Sequence, residues 1–80
     1  MSVKDVAAKR FKDLCRQRNI KINKLANMSG VTPSTVYSLM NLQRRDVSLI
    51  TIKKLCDGLE ITLGEFFSCA EFDALEQEIK

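Results

Sequence analysis

The chain contains no histidine, and its three cysteines, Cys15, Cys56 and Cys69, are too far apart to form a CxxC pair. Histidine-dependent catalysis, imidazole metal ligation and a histidine pH switch are thereby excluded, and a structural zinc site lacks a ligand set. No metal and no cofactor are expected. The three glycines form neither a phosphate loop nor a dinucleotide-binding pattern. There is no signal peptide and no apolar run long enough for a membrane span, and the odd cysteine count suits a reducing compartment, so a cytoplasmic protein is expected. Cys15 and Cys56 fall on apolar helix faces and read as small buried hydrophobes rather than redox sensors, while Cys69 is open to either reading. Eighty residues with 45% hydrophobic content can bury one modest core, too small for a catalytic cleft plus a regulatory domain, and the chain is not expected to be an enzyme.

What is present centres on Ile22 to Leu42, INKLANMSGVTPSTVYSLMNL, which reads as two short helices joined by a tight turn. Leu25 and Ala26 lie one turn before Gly30, and small Ala26 permits two helices to approach at a steep angle. Gly30 stands where the chain must turn left-handed, a conformation that is free of steric cost only for glycine. Thr32 offers a hydroxyl to cap the next helix, and the chain's one proline, Pro33, follows at a position where a missing N–H is harmless. From that start Val36, Leu39 and Met40 point inward. Pro33, Ser34, Tyr37, Ser38 and Asn41 point outward, a face without charge. Small hydroxyls, an asparagine and one aromatic ring suit hydrogen bonding to base edges and contact with thymine methyls.

Charge is unevenly divided. Residues 1–54 hold 12 Lys and Arg against 3 Asp and Glu, a net of +9, whereas residues 55–80 hold 1 against 7, a net of −6. Phosphate binding is therefore expected from the first part of the chain.

The run from Lys9 to Phe67 resembles the phage-repressor and Cro-like helix-turn-helix family, also called the xenobiotic-response-element type. The resemblance rests on Leu25-Ala26, Gly30-Val31-Thr32 and Ser34-Thr35-Val36, followed in order by Ser48-Leu49, Thr51, Lys54-Leu55, Leu59 and Ile61 to Phe67. It implies an all-α, compact five-helix lambda-repressor-like domain over residues 1–67, with residues 68–80 as a short acidic C-terminal helix or tail. It also implies a double-stranded DNA-binding transcriptional regulator, repressor-like, that lays Pro33 to Asn41 in the major groove. Thr32, Pro33, Ser34, Tyr37, Ser38 and Asn41 match the family's groove-facing positions. Asn23, Lys24, Thr35, Arg44 and Arg45 are the phosphate-contact candidates, with Arg10 and Lys53 behind them. Each has a plain alternative: Arg44 and Arg45 as a solvated loop pair, Tyr37 folded over the core edge, Asn41 as a helix cap. The chain departs from the family at Ile22, where many members have glutamine, and at Cys15 and Met40, where many have a partly buried arginine–glutamate pair. Joint replacement of such a pair by apolar residues is tolerated. Leu42 stands where glycine is frequent, and the loop to Ser48 is about one residue longer than usual.

The remaining segments fit the same domain. Val3 to Arg18 reads as a first helix with Val3, Val6, Ala7, Phe11, Leu14 and Cys15 inward and Lys4, Lys9, Arg10, Lys12 and Arg16 on the solvated face, ending near Asn19. Ser48 caps a fourth helix bearing Leu49, Ile52, Leu55, Cys56 and Leu59. Thr62 caps a fifth, with Glu65 completing a capping box. Phe66 and Phe67 are expected to close the core. Phe72, Leu75 and Ile79 form a thin stripe that either folds back or meets a partner, which leaves open both a homodimer reading a palindrome and an antitoxin-like interaction module. RNA or single-strand binding is disfavoured, because no exposed aromatic platform is expected.

Overall fold

Helix ends account for much of the backbone organisation. The computed structural model describes residues 2–44 and 46–79, all-α with no strand among them. Its six helices are α1 (Val3–Gln17), α2 (Ile22–Ser29), α3 (Pro33–Met40), α4 (Leu49–Gly58), α5 (Leu63–Phe67) and α6 (Ala70–Asp73). Ser2, Thr32, Ser48 and Thr62 each accept the amide three residues on, and Ser2–Asp5 and Thr62–Glu65 form reciprocal capping boxes. Each such cap stabilises its helix by about 1 kcal/mol. The Ser2 amide, above all, holds the Asp5 carboxyl below its ordinary range.

Three helices stop in the same way. Asn19 (φ 56°), Gly30 (φ 68°) and Glu60 (φ 59°) are left-handed. The amides of Ile20, Val31 and Ile61 then reach back to the carbonyls of Cys15, Ala26 and Cys56. This double-bonded stop satisfies carbonyls the helix leaves open, and it turns Ile20, Val31 and Ile61 onto the core.

The core is built on α2 against α4, with Leu25, Ala26, Leu55, Cys56 and Leu59 fully enclosed. The two helices touch where Gly58 faces Ser29: a Cβ on Gly58 would lie 2.1 Å from Ser29 Oγ and 3.0 Å from its Cα. Phe11 of α1 stacks on Phe66 of α5 at 4.3 Å, and Phe67 and Phe72 pack edge-on around them, so all four phenylalanines share one cluster. Arg10 closes α5 by donating to the carbonyls of Glu65 and Phe66, each at 3.1 Å. Burial pushes the Cys15 and Cys56 thiols up from their ordinary range, as expected of small core residues.

The structure corrects several expectations. Lys4 is not on the solvated face of α1: it lies one turn before Ala7 and Ala8 on the inward stripe and is 1% exposed. Leu49 is not core: the first turn of α4 turns Ile52 inward and leaves both Leu49 and Ile50 exposed. Val3, at the first position of α1, is likewise half out. The tail folds back, with Phe72 in the aromatic cluster and Glu71 paired to Lys9 at 3.1 Å. Phe72 is therefore no part of an exposed stripe with Ile79, which is 89% exposed.

Two substitutions near the end of α4 should act in opposite directions. Gly58→Ala should cost about 1–3 kcal/mol by forcing α2 and α4 apart. Glu60→Gly should gain about 1 kcal/mol by relieving the left-handed backbone. Thermal unfolding followed by circular dichroism reads both, with about 4–8 °C per kcal/mol for a domain of this size.

Candidate nucleic-acid interface

Short helices need external anchors, and α3, with eight residues, is held by Val36 and Leu39, which are 0% and 2% exposed. A Cβ on Gly30 would meet nothing within 4 Å, so the left-handed angle alone explains the glycine there. Thr32 Oγ1 accepts the Thr35 amide and shares hydroxyl hydrogen bonds with Ser34 at 3.1 Å and Thr35 at 2.9 Å. With these anchors set, Pro33, Ser34, Tyr37 and Asn41 stand exposed, and Ser38 and Thr35 are half-buried along one flank.

Two contacts tie this face to its surroundings. The Tyr37 hydroxyl donates to Asn23 Oδ1 at 3.2 Å, joining α3 to the start of α2. Tyr37, 55% exposed, thus leans toward α2 and does not fold over the core. Asn41 is the C-cap of α3, its amide donating to the Ser38 carbonyl at 3.2 Å, and it also builds the turn that follows: its Oδ1 accepts the Gln43 amide at 3.0 Å and its carbonyl accepts the Arg44 amide at 3.1 Å. The Asn41 side-chain NH₂ donates to no protein group among the described residues.

Cations border the face on both sides. Lys24 and Arg44 are exposed, and neither pairs with another described residue. Arg45 lies outside the described residues. The two weaker candidates are occupied otherwise, Arg10 by the α5 carbonyls and Lys53 by Asp57. A depression of about 480 Å³ beside α3 is lined by Thr35, Ser38, Arg44 and the start of α4. A second of similar size on the opposite flank is lined by Lys12, Arg16, Lys21, Asn23 and Tyr37.

Lys21 joins the candidate interface as a position that reasoning from sequence missed. It is the N-cap of α2, is exposed, and carries no side-chain acceptor, so no capping side chain satisfies the leading amides of α2. Uncapped amides at a helix start favour a phosphate oxygen. The available signal was the lack of Ser, Thr, Asp or Asn before Ile22.

Two short helices meeting across a left-handed glycine, with the second showing an uncharged polar face between cations, define a helix-turn-helix DNA-binding domain. Residues 10–71 match the family model of the Cro/C1-type helix-turn-helix DNA-binding domain, and the chain belongs to that family of DNA-binding regulators. Its structure is similar to the crystal structure of prophage Lp1 protein 11, with a TM-score of 0.83 and 25% sequence identity over 94% of this chain and 100% of that one. No curated protein matches the chain. No helix among the described residues is long and apolar enough to cross a membrane.

Because space around Gly30 is open, substitution there isolates the cost of the backbone angle. Gly30→Ala should lose about 1–2 kcal/mol, and Gly30→Asn should lose less, since asparagine tolerates the left-handed region. Urea denaturation of the two variants checks this.

Proposed function

We propose that this protein is a sequence-specific, double-stranded DNA-binding transcriptional regulator of the repressor type, cytoplasmic, non-enzymatic and active as a homodimer. The observation that carries the reading is the uncharged face of α3 bordered by unpaired cations on both flanks. Lys24, Lys21, Arg44 and Arg45, with the open amides of α2, displace counterions and hold the domain on the phosphates. Asn23 and Thr35 add neutral donors to the same strands. Thr32, Pro33, Ser34, Tyr37, Ser38 and Asn41 then choose among base edges in the major groove. Occupying an operator in this way excludes polymerase from the promoter. A palindromic operator requires two copies with recognition helices about one helical turn apart. The antitoxin-like alternative finds less support, since Phe72, the largest side chain of its docking stripe, packs in the aromatic cluster.

Selection from a random duplex pool at near-physiological salt tests the reading. An enriched inverted repeat is expected, and absence of any enrichment would overturn sequence specificity. Given an operator, Lys24→Ala or Arg44→Ala should weaken binding to all duplexes and lower the salt slope by about 1 each, whereas Ser38→Ala should relax discrimination at one or two base pairs. Equal effects from the two kinds of variant would refute the division between phosphate and base contacts.

A further inference from the structure

Lys4 is the one charged residue buried among the described residues, at 1% exposure, and nothing in the DNA-binding scheme uses it. Its ammonium donates to the carbonyl of Asn41, 37 residues away, at the end of α3. That carbonyl also accepts the Arg44 amide, and the Asn41 side chain accepts the Gln43 amide. One buried cation thus meets the turn that carries the last outward side chain of α3 into the first flanking cation.

The ending of α3 explains why such a cation is needed. At α1, α2 and α4 a left-handed residue folds the chain back onto the open carbonyls, but Asn41 is extended, with φ −73° and ψ 118°. No such stop closes α3. A positive group at a helix C-terminus is favourable, and here it is delivered from inside the core by α1. Asp5 Oδ1 lies 3.5 Å from the ammonium, is itself buried, and has no hydrogen-bond partner, so it acts as the counter-charge. A buried ammonium that loses an acceptor is strongly disfavoured, and any loop conformation that swings the Asn41 carbonyl away would leave Lys4 in that condition. The turn is held to one arrangement for that reason.

We infer that Lys4 is a positioning residue for DNA recognition, which from within the core fixes the Asn41–Arg44 turn and with it the C-terminal end of the reading face. The inference rests on the function proposed above. Lys4→Met keeps an unbranched chain of similar reach and removes the donor, and it is compared with the unsubstituted protein in the same duplex selection. The expected result is loss of preference at the base pairs read from the Asn41 end, retained preference at those read from Pro33 and Ser34, and a roughly tenfold fall in the ratio of specific to non-specific affinity. Hydrogen exchange gives an independent readout: the Arg44 amide should be protected in the unsubstituted protein and exposed in the variant. An unchanged site preference, a loss uniform across the site, or an unprotected Arg44 amide in the unsubstituted protein would overturn the inference. If Lys4→Met does not fold, the comparison is made in the Glu60→Gly background, remote from the DNA-facing residues. If the unsubstituted protein selects no sequence, it is the DNA-reading function that fails, and the positioning role falls with it.

Discussion

The placement of α3 depends on the contact between α2 and α4. Isolated helices of eight residues do not persist in water, so both members of the helix pair take their order from burial. Leu25 and Ala26 enter a wall formed by Leu55, Cys56 and Leu59, and Gly58 lets the backbones close to a distance that no side chain would permit. With α2 seated in this way, the left-handed turn at Gly30 determines the direction in which α3 departs. Val36 and Leu39 then fasten it. The outward face of α3 is therefore only as rigid as the packing of α2 on α4, which is tightest at Ser29, beside the turn into α3.

Charge follows a second division of labour. Several of the 13 Lys and Arg serve the fold: Lys4 and Arg10 cap helix ends, while Lys9, Arg16 and Lys53 sit in surface ion pairs. Exposed pairs of this kind contribute little to stability, at most about 1 kcal/mol each. They neutralise Lys9 and Lys53, while Arg16, paired to Asp13, also lines the depression beside Tyr37. Lys24, Lys21 and Arg44 have no ion-pair partner among the described residues and add positive potential at the edges of the uncharged face of α3.

Features encoded by neighbouring residues were legible in the chain. Thr32-Pro33, Ser48 and Thr62 with Glu65 start helices because a hydroxyl and an amide three residues apart are enough for a cap, and Gly30 marks a turn by its backbone freedom alone. Periodicity likewise placed Val36 and Leu39 inward and Tyr37 outward. What escaped depends on partners distant in sequence. Lys4 is buried because Asn41 supplies an oxygen, Gly58 matters because Ser29 is opposite, and Leu49 is exposed because the core takes Ile52 from the first turn of α4 instead. Glu60 adopts the turn glycine would favour, and nothing local announces it. At the candidate site, the outward residues of α3 and Asn41 at the helix end could be read from the sequence, and the open start of α2 was signalled by the lack of a capping residue before Ile22, but the Tyr37–Asn23 bond and the Lys4–Asn41 bond join residues distant in the chain and could not.

The solitary tyrosine has one more consequence. The chain has no tryptophan, and its four phenylalanines are gathered in a single cluster around α5, so Tyr37 supplies nearly all of the near-ultraviolet emission. That ring projects from the middle of α3 with 55% of its surface open and its hydroxyl joined to the first turn of α2. Whatever settles on this face must cover the chromophore or break its hydrogen bond. The molecule thus carries an intrinsic optical label where its two short helices meet, one that needs no added dye.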